Sequence, residues 1–411
     1  MIKRLISSVS YLGLIQVLNY IVPPISLIYL TKILGLYNYG IFAFTQSIVA
    51  FSLILLDFGF HLSATEKISK YREKKLIISK YISAILSIKL ILFLVLAVLL
   101  LLFTAFTGKY QDHKPILILA LFPLLAQGLL PSWFFQGIEK TKYLALYTLL
   151  EKSIYIISLY VFIKDSSHYY FVPLLIGTTQ FINLMCCVSF IRRFGIVLKV
   201  PSKTFLIYCL KFTYPFFISR VAVGIYMTIG TIILGLNALP EQVAIYALAE
   251  QLYRGLQGLF TPIVLATYSI ITKEKNIKFV IQIIVLSILA SIIIAITSYK
   301  FIPLLFIHLS NLWLTSIPII NIFLVAIVVH VAAVVTGYPL AAALRRLDVA
   351  NSSVITGVLV YTILGIVLYI TNMISPSNLA ALMVLSEFSV LIHRLIVLLP
   401  LALKQYRLRH Q

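Results

Sequence analysis

Charged residues are scarce in this chain. Asp, Glu, Lys and Arg make up only 11% of its 411 residues, and Asp and Glu together number just 12. Soluble domains carry about 25% charged residues, so the composition excludes an ordinary soluble domain. Hydrophobic residues instead make up 61% of the sequence. The composition therefore indicates a polytopic membrane protein.

Motifs for nucleotide and covalent chemistry are also missing. The sequence contains no G-x-x-x-x-G-K-[ST] loop, so we expect that the chain does not itself hydrolyse a nucleotide to drive transport. It contains neither a metal-ligand cluster nor a nucleophile elbow. The three cysteines, Cys186, Cys187 and Cys209, suggest no disulfide framework and are interpreted as small apolar side chains. We expect no catalytic residue, no bound metal and no cofactor.

Long apolar runs dominate the rest of the sequence. Each run reaches the ~20 residues that a helix needs to cross the hydrocarbon core of a bilayer. The connections between the runs are mostly too short to form a soluble domain. We therefore predict an all-α polytopic membrane protein of about twelve transmembrane helices. The predicted spans are 9–31, 40–62, 80–103, 115–136, 142–163, 169–191, 207–236, 243–270, 279–300, 317–343, 350–371 and 378–403.

The 33 Lys and Arg residues are divided unevenly between the two sides of the predicted membrane. With the N-terminus inside, 22 of them lie on the inner side and five lie in outer loops. Such an asymmetry follows the positive-inside rule and predicts that both termini are cytoplasmic. The net charge of +21 thus reflects the membrane topology of the chain. We therefore expect membrane lipids rather than nucleic acid to contact the basic loop 67–80.

A basic connection at 192–206 follows the sixth predicted span. It indicates a boundary between an N-terminal lobe, 1–198, and a C-terminal lobe, 199–411. A weak internal repeat favours this division, because LGLYNYGIFAFTQ (34–46) resembles LGLNALPEQVAIYALAE (234–250). Both copies cover the outer turn after the first span of a lobe, as two parallel repeats require.

Three charged residues lie within the apolar stretch from 215 to 272. A charge near the middle of a bilayer costs at least ~2.5–3.5 kcal/mol on insertion scales, so each needs a physical reason. Glu250 and Arg254 are four residues apart and share a helix face, where they can partly neutralise each other. Arg220 has no acidic partner in its own helix. We therefore expect Arg220 to face water or to bind an anion.

Asp57 and Lys89 lie near the inner ends of the second and third predicted spans. Asp57 shares a helix face with His61, four residues later. Three interpretations of Asp57 stay open: it binds a coupling cation or proton, it pairs with a cationic group, or it caps its neighbours. Lys89 lies a turn or two inside its span, so we expect its side chain to extend to the inner interface.

The remaining charges within spans have several interpretations. Glu151 and Lys152 point about 100° apart and need not pair, so they indicate an aqueous cavity or partners on other helices. Glu387 and Arg394 are seven residues apart on one helix face. A cavity cation and a helix-to-helix pair are both open for Arg394. His330 is interpreted as a hydrogen-bonded packing residue.

Three motifs carry a resemblance to a known family. They are LLDFGFHLSATEKIS (55–69), PFFISRVAVGIYMTIG (215–230) and VAIYALAEQLYRGLQGLFTPIVLATYSI (243–270). With the twelve-span layout, these motifs resemble the O-antigen flippase (Wzx) family. That family is the polysaccharide transporter branch of the multidrug/oligosaccharidyl-lipid/polysaccharide exporter superfamily.

The resemblance implies two six-helix lobes around a central cavity that opens alternately to each side. It implies that an undecaprenyl-pyrophosphate-linked O-antigen unit moves from the cytoplasmic to the periplasmic leaflet of the bacterial inner membrane. By motif position, Arg220 and Arg254 would hold the pyrophosphate or acidic sugars, and Asp57 or Glu250 would couple transport to protons or sodium. The additional candidates for substrate binding, assigned from membrane depth alone, are Lys89, Lys152 and Arg394.

Two other functions compete with this interpretation. A small-molecule exporter of the same superfamily would handle cationic substrates with acidic groups. Six Lys and Arg against four acids within the predicted spans favour an anionic substrate instead. A membrane glycosyl polymerase or ligase would need an outer loop larger than 300–316. We therefore expect a transporter and not an enzyme.

Overall fold

A computed structural model of the chain describes residues 2–274, 277–309 and 311–408. Within those ranges the chain forms α-helices joined by short turns and two 3-10 segments, and no strand occurs. The predicted all-α class is confirmed. The helices are α1 Ile2–Asp57, α2 Phe60–Lys70, α3 Lys75–Phe106, α4 Lys114–Leu119, α5 Leu121–Leu129, α6 Ser132–Gly137, α7 Thr141–Phe162, α8 Phe171–Arg193, α9 Lys203–Asn237, α10 Pro240–Glu274, α11 Ile277–Leu309, α12 Asn311–Leu314, α13 Ile317–Thr336, α14 Tyr338–Ala343, α15 Leu347–Ile370 and α16 Pro376–Leu408.

Nine segments of the described chain are long and apolar enough to cross a membrane. The first of them runs over 61 residues, Ser10–Lys70, and includes most of α1, the turn at 58–59 and all of α2. A break at Gly35, where φ is 71° and ψ is 174°, divides it between the first two predicted spans. The chain is therefore a multi-pass membrane protein. Helices α9 and α10, which are not among these nine segments, are 35 residues long each. The predicted number of twelve membrane crossings stays a prediction.

The chain divides into two compact units, Met1–Gly224 (unit 1) and Ile225–Gln411 (unit 2). Helix α9 contributes to both. The connection 194–202 is not helical and lies along α3, where the Ser79 hydroxyl donates to the Val197 carbonyl. The backbone N–H of Lys199 also donates to Ser83 Oγ at 3.0 Å. The lobe boundary predicted at 198/199 falls within this connection and stays a prediction.

Unit 1 has a core cluster where α2, α3, α6 and α8 meet. Phe60, Ala64 and Ile68 recur at a spacing of four on α2 and are buried. They pack with the fully buried aromatic side chains of α6 and the apolar face of α3. Helix spacing of three to four places such residues on one face, which explains why α2 turns that face inward.

Unit 2 is built around α13. Its sequence, IPIINIFLVAIVVHVAAVVT, is almost entirely apolar, as expected for a helix that is mostly buried against other helices. Helices α10, α11 and α16 pack against it. It ends at Thr336, before Gly337 turns the chain into α14.

The turn between α1 and α2 requires a glycine. Gly59 has a φ of +80°, and a Cβ added there would lie 2.8 Å from Phe216 Cβ and 2.9 Å from the backbone nitrogen of Phe217. We expect Gly59→Ala to destabilise the protein by at least about 1–2 kcal/mol from the left-handed backbone alone, with the clash adding more. The measurement is the thermal unfolding midpoint of the purified protein in detergent.

The matched control is Gly108→Ala. An added Cβ at Gly108 has no atom within 4 Å, so its unfolding midpoint should stay at the wild-type value. Equal midpoints for the two variants would contradict the role assigned to Gly59.

Candidate functional site

Asp57 and Lys89 form an ion pair that links the end of α1 to α3. Lys89 Nζ lies 3.3 Å from Asp57 Oδ1 and also donates to the Gly128 carbonyl oxygen at 3.1 Å. The backbone N–H of His61 donates to Asp57 Oδ2 at 3.4 Å. Only 4% of the Lys89 side chain is exposed. Lys89 therefore does not extend to the inner interface as expected, because its ammonium group is buried between a carboxylate and a carbonyl.

Arg220 lies in the part of α9 that belongs to unit 1, and it is exposed. It forms no ion pair with any residue that the structure describes. The imidazole of His61 is within electrostatic range of Asp57, Lys89 and Arg220. Three sequence-predicted site residues thus lie within electrostatic range of one imidazole. Of the three, Arg220 presents the exposed charge.

Glu151 and Lys152 form a second charged cluster, between α7 and α8. Lys152 Nζ lies 3.0 Å from Glu151 Oε1, so the two neighbours do pair. The flexible lysine side chain makes this contact although adjacent residues start in different directions. The Asn183 side chain donates from α8 to Glu151 Oε2 at 2.6 Å. Glu151 is buried, whereas 22% of the Lys152 side chain is exposed.

In unit 2, the Glu250 carboxylate of α10 bonds to Arg254 on the same helix and to Thr231 on α9. Arg254 Nη2 lies 3.0 Å from Glu250 Oε1, as the spacing of four predicts. The Thr231 hydroxyl of α9 donates to Glu250 Oε2 at 2.9 Å. The Arg254 side chain remains 35% exposed. The predicted pair is confirmed, and the guanidinium side chain of Arg254 is only partly buried within it.

A fourth carboxylate cluster links α10, α13 and α16, and the sequence analysis did not predict it. His330 Nδ1 lies 2.7 Å from Glu387 Oε1, and the Tyr253 hydroxyl donates to the same oxygen at 3.4 Å. The interpretation of His330 as a hydrogen-bonded packing residue is confirmed. The sequence did contain one signal for this contact. His330 and Glu387 lie at similar depth in two predicted spans, and a polar or charged side chain at that depth needs a partner.

Arg394 lies on α16 and is buried. Its Nε donates to Ser353 Oγ at 2.8 Å, its Nη1 donates to the Ala333 carbonyl, and its Nη2 donates to the Ala350 carbonyl at 3.3 Å. Ala333 lies in the last turn of α13, where the helix dipole favours a cation, and its carbonyl also accepts from the Thr336 hydroxyl at 3.0 Å. Of the two open interpretations, this geometry matches contact between helices. Substrate binding by Arg394 stays a prediction.

The carboxylates within predicted spans are therefore bonded to cations or to a histidine. The four contacts are Asp57–Lys89, Glu151–Lys152, Glu250–Arg254 and Glu387–His330. Within the described ranges, no group of three or more His, Cys, Asp or Glu side chains lies together. Because Arg220 is exposed and has no carboxylate in the described chain, it is the charge best placed to bind an oxyanion.

A family model described as "Polysaccharide biosynthesis protein" matches residues 5–273. A protein of Escherichia coli (strain K12) named "Putative O-antigen transporter" is 28% identical over 263 residues. That match covers 64% of this chain and 63% of the relative, which is less than two thirds of the relative's length.

Solved structures with the same fold align over nearly the whole chain. The "Lipid II flippase MurJ" in an inward closed conformation has a TM-score of 0.75 at 15% identity, covering 97% of this chain and 89% of its own. An inward-facing multidrug resistance MATE family transporter of the MOP superfamily has a TM-score of 0.65 at 12% identity. That alignment covers 98% of this chain and 99% of the transporter. At these identities the likeness shows a shared fold.

Proposed function

Because the chain belongs to the polysaccharide biosynthesis protein family, we propose that it is a flippase for lipid-linked oligosaccharides. Its substrate is an undecaprenyl-pyrophosphate-linked O-antigen unit, which moves from the cytoplasmic to the periplasmic leaflet by alternating access. The protein lies in the bacterial inner membrane with both termini in the cytoplasm. It acts as a transporter and not as an enzyme, and it uses no cofactor. The O-antigen transporter names of its relatives support this proposal.

The observation that carries the proposal is the exposed Arg220. A pyrophosphate presents several anionic oxygens, and the planar guanidinium group binds phosphate through two parallel hydrogen bonds. A cation within a membrane span needs a compensating partner. Asp57, which like Arg220 lies within electrostatic range of His61, is already bonded to Lys89. A substrate anion would supply the partner that Arg220 needs.

The other candidate residues differ in how much of the charged side chain is exposed, and their proposed roles differ accordingly. Arg254 is a second cationic contact because part of its side chain is exposed. Lys152 is a weaker candidate, and the charged groups of Lys89 and Arg394 serve mainly to hold helices together. Asp57 or Glu250 couples transport to a proton or sodium gradient.

Deleting the gene in its host tests the proposal. We expect surface O-antigen to disappear and undecaprenyl-pyrophosphate-linked units to accumulate in the membrane fraction, as measured by mass spectrometry. A plasmid copy of the chain should reverse both changes. Normal surface display without accumulation would contradict a flippase. Loss of resistance to cationic dyes instead would indicate a small-molecule exporter, and sugar polymerisation by the purified protein would indicate an enzyme.

A further inference from the structure

A groove runs along α8 and the start of α7, apart from the charged clusters described above. Its volume is about 800 Å³. The residues of α8 that line it extend from Phe181 to Arg193, which is roughly 20 Å of helix, and Phe194 lines it just beyond the helix end. Phe181, Ile182 and Met185 are exposed apolar side chains within the span. A groove of this length and character suits a hydrocarbon chain.

One end of the groove is polar and basic. Ser189 and Arg193 are four residues apart on α8, are both exposed, and both line the groove. Tyr143 of α7 lies opposite, and its ring packs 4.6 Å from that of Phe190. No acidic residue lines the groove, and Arg193 forms no ion pair with the described residues. The basic segments 140–142 and 192–203 lie at this same end of α7 and α8.

We propose that this groove binds one anionic phospholipid. The phosphate contacts Arg193 and Ser189, and an acyl chain lies along Phe181, Ile182 and Met185. Charge complementarity selects an anionic headgroup, since basic pockets between transmembrane helices bind such lipids. Tyrosine is favoured at the level of the headgroups, and Tyr143 lines the groove beside its basic end. The proposal does not rest on the transported substrate, because Arg220 and Arg254 lie on α9 and α10.

Native mass spectrometry of the full chain in detergent tests the proposal. The lipids are phosphatidylglycerol and phosphatidylethanolamine with identical acyl chains, at equal concentrations. We expect the wild-type protein to retain one phosphatidylglycerol preferentially. Arg193→Gln should lower that retention about tenfold or more, because it removes a charge-assisted contact to the phosphate.

The matched control is Arg192→Gln. Arg192 is also exposed and carries the same charge, but it points about 100° away and does not line the groove. Its substitution should leave phosphatidylglycerol retention unchanged. Equal losses in both variants would overturn the proposal, as would equal retention of the two lipids by the wild-type protein. Displacement of phosphatidylglycerol by an equal concentration of undecaprenyl phosphate would also overturn the assigned occupant.

A second measurement needs no substitution. Cys186 lines the groove and is partly exposed, whereas Cys187 and Cys209 are buried. Phosphatidylglycerol should slow maleimide labelling of Cys186 several-fold relative to phosphatidylethanolamine, with peptide mapping to identify the labelled site. Labelling at the same rate with either lipid would contradict occupation of the groove.

Discussion

Replacing Arg220 with alanine is expected to abolish surface display of the oligosaccharide while leaving the amount of protein in the membrane unchanged. Arg220 is exposed and forms no ion pair with the described residues, so its removal leaves no buried charge behind. Folding should therefore tolerate the change. Binding of a diphosphate should weaken strongly, because hydrogen bonds to charged groups contribute about 1.5–3 kcal/mol each.

Two such bonds to one guanidinium correspond to a loss of affinity of at least about a hundredfold. Display is measured with a polysaccharide-specific stain on intact cells, and protein level is measured by immunoblotting. Arg220→Lys keeps the charge but not the planar fork, so it should retain only part of the activity.

Lys211→Ala provides the matched control on the same helix. Lys211 is also an exposed cation of α9, about two and a half turns before Arg220. It should display oligosaccharide at the wild-type level. Normal display by Arg220→Ala at normal expression would remove Arg220 from the site. Equal defects in the two variants would indicate a general loss of positive charge rather than a specific contact.

The sequence predicted contacts within a helix better than contacts between helices. Glu250 and Arg254 were expected to pair because a spacing of four brings two side chains to one face, and the structure confirms this. The apolar runs also predicted the helices closely: the expected span 207–236 corresponds to α9, Lys203–Asn237. The family model described as "Polysaccharide biosynthesis protein" matches residues 5–273, which confirms the family predicted from the motifs.

Pairs that depend on packing could not be predicted from spacing. Asp57 and Lys89 are 32 residues apart and meet because the chain turns at Phe58 and Gly59, both with positive φ, and turns again between α2 and α3. Glu387 and Arg394 share a helix face, but each bonds to other helices instead. In a membrane span a polar side chain finds whatever partner its neighbours present. Membrane depth therefore predicted that these charges need partners without predicting which ones.

The Asp57–Lys89 pair gives the second prediction with a large effect. Lys89→Met should destabilise the protein by about 3 kcal/mol or more, because breaking a buried ion pair leaves one charge uncompensated. The Gly128 carbonyl would also lose its donor. The thermal unfolding midpoint in detergent should fall accordingly. The exposed pair Arg72–Glu139, whose side chains are 46% and 48% exposed, is the control: Arg72→Gln should cost less than about 1 kcal/mol.

The double variant Asp57→Asn with Lys89→Met separates stability from function. It removes both charges, and such replacements of buried pairs are often neutral or stabilising. The asparagine side-chain oxygen can still accept the N–H of His61 that now bonds to Asp57. We therefore expect the unfolding midpoint to return towards the wild-type value.

Transport by this double variant then tests whether Asp57 couples to an ion. In proteoliposomes with a proton or sodium gradient, we expect the wild-type protein to flip lipid-linked oligosaccharide faster than without the gradient. The folded double variant should lose that acceleration, because it has no carboxylate at position 57 to take up the ion. Acceleration equal to that of the wild type would show that the pair only joins α1 to α3. Glu250, whose carboxylate bonds to Arg254 and Thr231 in unit 2, would then be the residue proposed to couple transport to the ion gradient.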